Sequence, residues 1–188
     1  MTQVIVLNGG SSSGKSSIAR ALQEILPGTW LTFGVDALVE ALPGRGDSPR
    51  SGIVLKPDGA VIVTPEFRAI QDIWYEGLAA MARGGAFLIL DEVLLTGHAG
   101  QRRLHDKLAG LDVLWAGVHC DPGVAAGREA SRVDRVAGMA RSQGHAVHAG
   151  VDYDVEVDTT DSAPIACAEL IAAAVLRHEA SPSRRAGS

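Results

Sequence analysis

Gly9, Gly14, Lys15 and Ser16 follow the order glycine, four residues, glycine, lysine, serine, within Gly9-Gly10-Ser11-Ser12-Ser13-Gly14-Lys15-Ser16. This spacing makes a cradle for the phosphates of a nucleotide. Small side chains let the backbone wrap an anion, successive N–H groups turn inward, and a helix opening near Gly14 adds the positive end of its dipole. Lys15 is placed to reach the β- and γ-phosphates, and the Ser16 hydroxyl to sit on Mg²⁺. Gly9, Gly10, Ser11, Ser12, Ser13, Gly14, Lys15, Ser16 and Ser17 are therefore the expected contacts to ATP. With glycine at about 7% of residues, four fixed positions coincide by accident in well under roughly one chain per hundred of this length.

A phosphate loop does not separate a kinase from an ATPase, a GTP switch or a motor, so the acceptor side must be sought elsewhere in the chain. Asp36, in Phe33-Gly34-Val35-Asp36-Ala37-Leu38, has two readings that position alone leaves even. It could take or orient the proton of an attacking hydroxyl, or it could cap a helix. Leu88-Ile89-Leu90-Asp91-Glu92 is an apolar run ending in carboxylates, with Asp91 the expected partner of Mg²⁺. Glu92 either faces the substrate or joins a surface ion pair. Arg128, Arg132 and Arg135, four and three apart, share a face if their helix is continuous. Guanidinium groups suit phosphate oxygens, and such a stripe could close over ATP. The competing reading is a solvated helix in which Glu129 pairs with Arg132, the more common case for such a stripe taken alone.

The elements that must hold these residues read as an α/β domain, because apolar runs suited to buried parallel strands alternate with helix-period segments. Strands are predicted at Val4 to Leu7, Trp30 to Phe33, Ala86 to Leu90, Val113 to Val118 and Tyr153 to Val157, and helices starting near Gly14, Asp36, Pro65, Gly97, Pro122 and Ser162. The fold expected is a three-layer one with a five-stranded parallel sheet. Two β-branched runs around Pro57-Asp58-Gly59, within Ile53 to Val63, predict an inserted hairpin. The preceding Pro43 to Gly52 reads as a loop, residues 1–178 as one kinase-sized domain, and 179–188 as a solvated tail. Trp74, Tyr75 and Trp115 fit core positions, Trp74 or Tyr75 also fitting the wall of a pocket beside the hairpin. Asp158-Thr159-Thr160 suits either a loop bordering adenine or a capping turn. His145 and His148 lack the further ligands zinc needs and read as polar loop.

Composition limits the rest. The 188 residues are 46% hydrophobic and 21% charged, with a net charge of -5 and three lysines. That balance favours a packed core and argues against a nucleic-acid surface. The expected partner is a small hydroxylated molecule, with a homo-oligomer left open. No apolar run approaches the roughly 20 residues of a membrane span, and the expected location is cytoplasmic. Cys120 and Cys167 have no metal spacing and read as buried packing residues. No arginine cluster adjoins the acceptor segment in sequence, while Ile53, Val54, Val61, Val63 and Trp74 suggest an apolar acceptor.

Together, the segments Leu7 to Ser16, Phe33 to Asp36, Gly127-Arg128-Glu129, Asp134 to Ala140 and Tyr153 to Thr160 resemble chloramphenicol phosphotransferase over most of the chain. The resemblance implies a P-loop kinase fold and phosphorylation by ATP of the primary hydroxyl of chloramphenicol, which destroys its antibiotic activity. It also implies that Asp36 is the general base, and that Arg132 and Arg135 belong to a lid over the nucleotide phosphates. Residues 43–63 and 97–107 match that family less well. The alternatives are a housekeeping kinase of the shikimate or nucleoside type and a nucleotide-dependent switch. Against the switch, no Asn-Lys-x-Asp guanine-reading segment occurs.

Overall fold

The computed structural model describes residues 1–46, 48–56, 60–130, 143–144 and 146–180. Arg132, Arg135, His145, the Pro57-Asp58-Gly59 turn and residues 181–188 of the expected tail lie outside the described residues.

The chain runs β1 (Val4–Asn8), α1 (Lys15–Ile25), β2 (Trp30–Gly34), α2 (Val35–Ala41), β3 (Ile53–Leu55), β4 (Val61–Val63), α3 (Pro65–Arg83), β5 (Phe87–Glu92), α4 (His98–Lys107), β6 (Val113–His119), α5 (Pro122–Ala130), β7 (Val155–Asp158) and α6 (Pro164–Ala180). The five long-range strands pair in parallel in the order β2-β5-β1-β6-β7, and β3 and β4 form a separate antiparallel pair. This is the expected sheet with its inserted hairpin.

The apolar runs are continuous because both faces of the sheet are covered. Ile5, Leu7, Ile89, Leu114 and Ala116 pack with Ile18, Leu22, Cys167 and Ile171 on the α1 and α6 side. Val4, Val6, Leu88, Leu90 and Trp115 pack with Tyr75, Leu78, Leu104 and Leu108 on the α3 and α4 side. Alternate residues of each strand thus serve opposite cores, and each fully buried aliphatic side chain contributes roughly 1.5–3 kcal/mol.

Two details differ from the sequence expectation. Strand β7 begins at Val155 rather than Tyr153, because the Asp154 side chain accepts the Trp115 N–H at 2.9 Å where a ladder carbonyl would otherwise serve. Tyr153 instead lies across Gly117, the place where a Cβ would meet its ring at 2.9 Å. Cys167 is buried as expected, but Cys120 is only half-buried, and the Arg128 Nη1 donates to its sulfur at 3.3 Å. The hairpin divides by register: Ile53 and Val63, paired across it, pack with Leu38, Leu42, Phe67 and Trp74. Val54 and Ile62, the next pair, face solvent.

Candidate active site

The phosphate loop spans the gap between the last residue of β1 and the first of α1. Asn8 anchors its entrance: fully buried, its Nδ2 donates to the Val147 carbonyl at 2.8 Å and to the Tyr153 hydroxyl at 2.6 Å, and its Oδ1 accepts from Leu94 N–H at 3.0 Å. Gly9 follows, where a Cβ would stand 2.5 Å from the Val118 carbonyl, so no larger residue fits. At the other end Gly14 takes φ 90° and caps α1 without a side-chain bond, while Ser12 holds φ 59°, a left-handed conformation uncommon for serine. Thr159 Oγ1 donates to the Ser13 carbonyl at 2.7 Å, and the Arg128 Nη2 to the Thr159 carbonyl at 2.7 Å. Gln143 Oε1 accepts from Ser11 N–H at 2.9 Å.

Inside this frame the Ser11, Ser12 and Ser13 hydroxyls are buried without a hydrogen-bond partner among the described residues. Three such orphans side by side are costly. They fit a loop whose partner is an oxyanion.

Lys15 points back over the loop. It is 6% exposed, and its Nζ donates to the Gly10 carbonyl at 2.8 Å and lies 3.6 Å from Asp91 Oδ1. Ser16 Oγ donates to Asp91 Oδ2 at 2.6 Å. The serine hydroxyl and the aspartate carboxylate, both hard oxygen donors suited to Mg²⁺, therefore meet at the mouth of the loop.

Asp36 is brought to the same place by sheet register. Gly34 lies opposite Asp91 in the β2–β5 ladder, so close that a Cβ on it would meet the Asp91 carbonyl at 2.5 Å. Two residues later Asp36 stands exposed in the first turn of α2. Gly34, with no capping side chain, is the N-cap, which removes the capping reading of Asp36. The charge of Asp36 reaches Glu92 and raises the pKa of that carboxyl.

Glu92 corrects the sequence expectation of a surface ion pair. It is fully enclosed, and its Oε2 accepts from the Tyr75 hydroxyl at 2.9 Å while Oε1 has no partner. Burial pushes its pKa up to about 8, assisted by the negative charges of Asp91 and Asp36 and opposed by the Tyr75 hydrogen bond and Lys15. Burial likewise holds the Tyr75 phenol well above its ordinary value. Tyr75 is thus both a core residue and the polar neighbour of the site. Gln71 Nε2 donates to Tyr75 Oη at 3.0 Å and Arg68 Nη1 to Gln71 Oε1 at 3.1 Å.

Arg68 also meets Arg103 of α4, which donates to the Arg68 carbonyl and, at 2.7 Å, to Asp72 Oδ1. The fold therefore assembles the arginine pair that is absent from the linear sequence. Asn8, Gln143, Arg68, Gln71 and Arg103 were not singled out as site residues by sequence alone, whereas Tyr75 and Thr159 each had a site reading beside a structural one. For Arg68 and Gln71 the signal exists: with Tyr75 they stand three and four apart, one polar line along a helix.

His148 does not stand in a free polar loop. Its Nδ1 lies 2.6 Å from the Tyr153 hydroxyl, and its ring stacks on His119 at 4.1 Å.

A family model described as chloramphenicol phosphotransferase-like protein matches residues 2–176. The chain belongs to this family. A Mycobacterium tuberculosis protein named as an O-phosphotransferase is 33% identical, the match covering 84% of this chain and 75% of that one. Among solved structures, a sugar kinase from Janibacter aligns with a TM-score of 0.68 and 19% identity over 93% of this chain and 95% of that one. The tunicamycin resistance protein of Deinococcus radiodurans aligns with a TM-score of 0.64 and 23% identity over 93% and 96%. Likeness at that identity shows the fold, a P-loop kinase fold. The family, carried on this fold, makes the chain a phosphotransferase, a kinase with a hydroxyl acceptor. No helix among the described residues is long and apolar enough to cross a membrane.

Proposed function

We propose that the chain transfers the γ-phosphate of ATP to a hydroxyl of chloramphenicol or a related natural product, in the cytoplasm, and so confers resistance to the antibiotic. The observation that carries the reading is the convergence of Lys15, Ser16 and Asp91 at the mouth of the phosphate loop, with Asp36 two residues beyond the Gly34–Asp91 contact. Donor and acceptor groups then gather at the carboxyl ends of the neighbouring strands β1, β5 and β2, where open α/β sheets bind ligands.

In this mechanism the serine-rich loop binds the nucleotide phosphates through backbone N–H groups and the orphaned hydroxyls. Lys15 exchanges the Gly10 carbonyl for phosphate oxygens. Ser16 and Asp91 would hold Mg²⁺, which neutralises phosphate charge. Asp36, open to solvent, orients the acceptor hydroxyl and takes its proton as the oxygen attacks in line. Arg132 and Arg135, with Arg128 at the base of the same segment, offset the charge that develops on the transferring group.

A second reading, a kinase of a small hydroxylated metabolite, is favoured by one observation: the Arg68–Arg103 pair beside the carboxyl end of β5. ATP consumption measured against chloramphenicol, shikimate and a nucleoside panel separates the two. Turnover with chloramphenicol supports the first and turnover with a metabolite the second, while stimulation by a protein partner alone would sink both.

A further inference from the structure

Beyond β5 the structure contains a crevice that this mechanism does not use. It is lined by Arg68, Gln71 and Tyr75 of α3, by residues 93–96, and by Gly100 and Arg103 of α4, and its interior offers about 10 Å³, room for one small polar group at its mouth. Pockets for whole drug-sized ligands run to roughly 300–1,000 Å³. This one suits a single substituent of a larger molecule.

Its walls are cationic. Burial and the neighbouring charge of Arg103 both lower the pKa of Arg68, which shows how closely two like charges have been gathered. Asp72 lies against Arg103 at 2.7 Å, whereas Arg68 is held by the neutral amide of Gln71 at 3.1 Å. Two guanidiniums and one carboxylate leave a net charge of one unit to be met. The first turn of α4, which borders the crevice through Gly100, has no acidic residue and no side-chain cap, so its dipole adds to the same field. The Arg68 fork is also preset. Gln71 holds it, Tyr75 holds Gln71, and the buried Glu92 holds Tyr75. Such a supporting chain keeps a binding group in one geometry before its ligand arrives.

We propose that this crevice binds a carboxylate carried by the phosphate acceptor, with Arg68 supplying a planar fork to the two oxygens. A single carboxylate matches the single unmet charge, and the guanidinium fork matches its shape. The proposal rests on the reading of the chain as a hydroxyl phosphotransferase and narrows its substrate to a hydroxy acid, which sides with the metabolite reading, since chloramphenicol carries no carboxylate. Arg103 ties α3 to α4 through Asp72 and the Arg68 carbonyl, so Arg68 is the residue that tests recognition without undoing the helix packing.

The probe pair is 4-(hydroxymethyl)benzoate and its methyl ester, titrated calorimetrically into the full chain without nucleotide. The acid is expected to bind at least about tenfold more tightly than the ester, since a charge-assisted fork is lost with the charge. Arg68→Gln, checked for an unchanged melting temperature, should abolish that difference and leave ester binding as it was; Arg68→Lys should restore it in part, charge without fork. Equal binding of acid and ester by the unmodified protein, or discrimination that survives Arg68→Gln, would overturn the proposal. Because binding is read without transfer, a chain that prefers the acid yet phosphorylates no hydroxyl would refute the phosphotransferase reading and leave the subsite standing.

Discussion

Ser16 Oγ donates to Asp91 Oδ2 at 2.6 Å, joining the first turn of α1 to the end of β5 across 75 residues of sequence. The two oxygens that would hold Mg²⁺ are thus held together before any metal arrives. Asp91→Asn keeps the shape and removes the charge. It should weaken Mg²⁺ dependence of ATP binding by about 10–100-fold, read as a shift in the Mg²⁺ titration of ATP affinity. An unshifted titration would place the metal elsewhere.

Asp36 is exposed and outside the nucleotide cradle, so its loss should divide kcat from ATP binding. Asp36→Asn is expected to lower turnover by about 100-fold or more, the range for a lost acid–base group, with the ATP dissociation constant nearly unchanged. Full activity in the variant would reduce Asp36 to a surface residue of α2.

Gly34 is required for space rather than for an unusual backbone angle. A methyl group there meets the Asp91 carbonyl at 2.5 Å and its Cβ at 3.1 Å, and backbone on backbone cannot yield cheaply. Gly34→Ala should cost about 1–3 kcal/mol of stability in denaturant unfolding, as overpacking does, and should also weaken Mg²⁺-dependent ATP binding by displacing Asp91. Unaltered stability and affinity together would mean that the β2–β5 contact does not set the site.

The enclosed carboxyl of Glu92 predicts a pH dependence of stability. Its pKa rises from 4.5 to about 8 on folding, so between those values the native state binds more protons than the unfolded chain. Its stabilising contribution is then complete below about pH 4.5 and lost by about pH 8 as pH rises. Glu92→Gln still accepts the Tyr75 hydrogen bond but cannot titrate. Calorimetric melting of the metal-free protein should show a decline across that window that the variant lacks. Parallel pH profiles would contradict it. The groups facing Glu92 are Tyr75, Asp91, Lys15 and Asp36.

The parts of the site visible in the sequence were those made by neighbours along the chain. Gly9 to Ser16 lie on one turn of backbone between a strand and a helix, so composition and spacing report their geometry directly. Strands β1, β5 and β6 were visible because burial on both faces leaves an uninterrupted apolar run. The start of β7 was not, since the Asp154 side chain replaces a ladder partner. Glu92 reads as one more strand-end acid until the packing of α3 on β5 puts Tyr75 against it, and Arg68 meets Arg103 only because α3 packs on α4. Such polar contacts depend on how elements dock, which hydrophobic periodicity does not specify.

The most direct test is the fate of the γ-phosphate. Purified protein, ATP, Mg²⁺ and a panel of small alcohols including chloramphenicol would be incubated and the products located by mass spectrometry. Phosphate is expected on a hydroxyl of one acceptor, dependent on Mg²⁺ and lost in Asp36→Asn. ATP turnover with no phosphorylated small molecule, or turnover evoked only by a protein partner, would contradict the assignment.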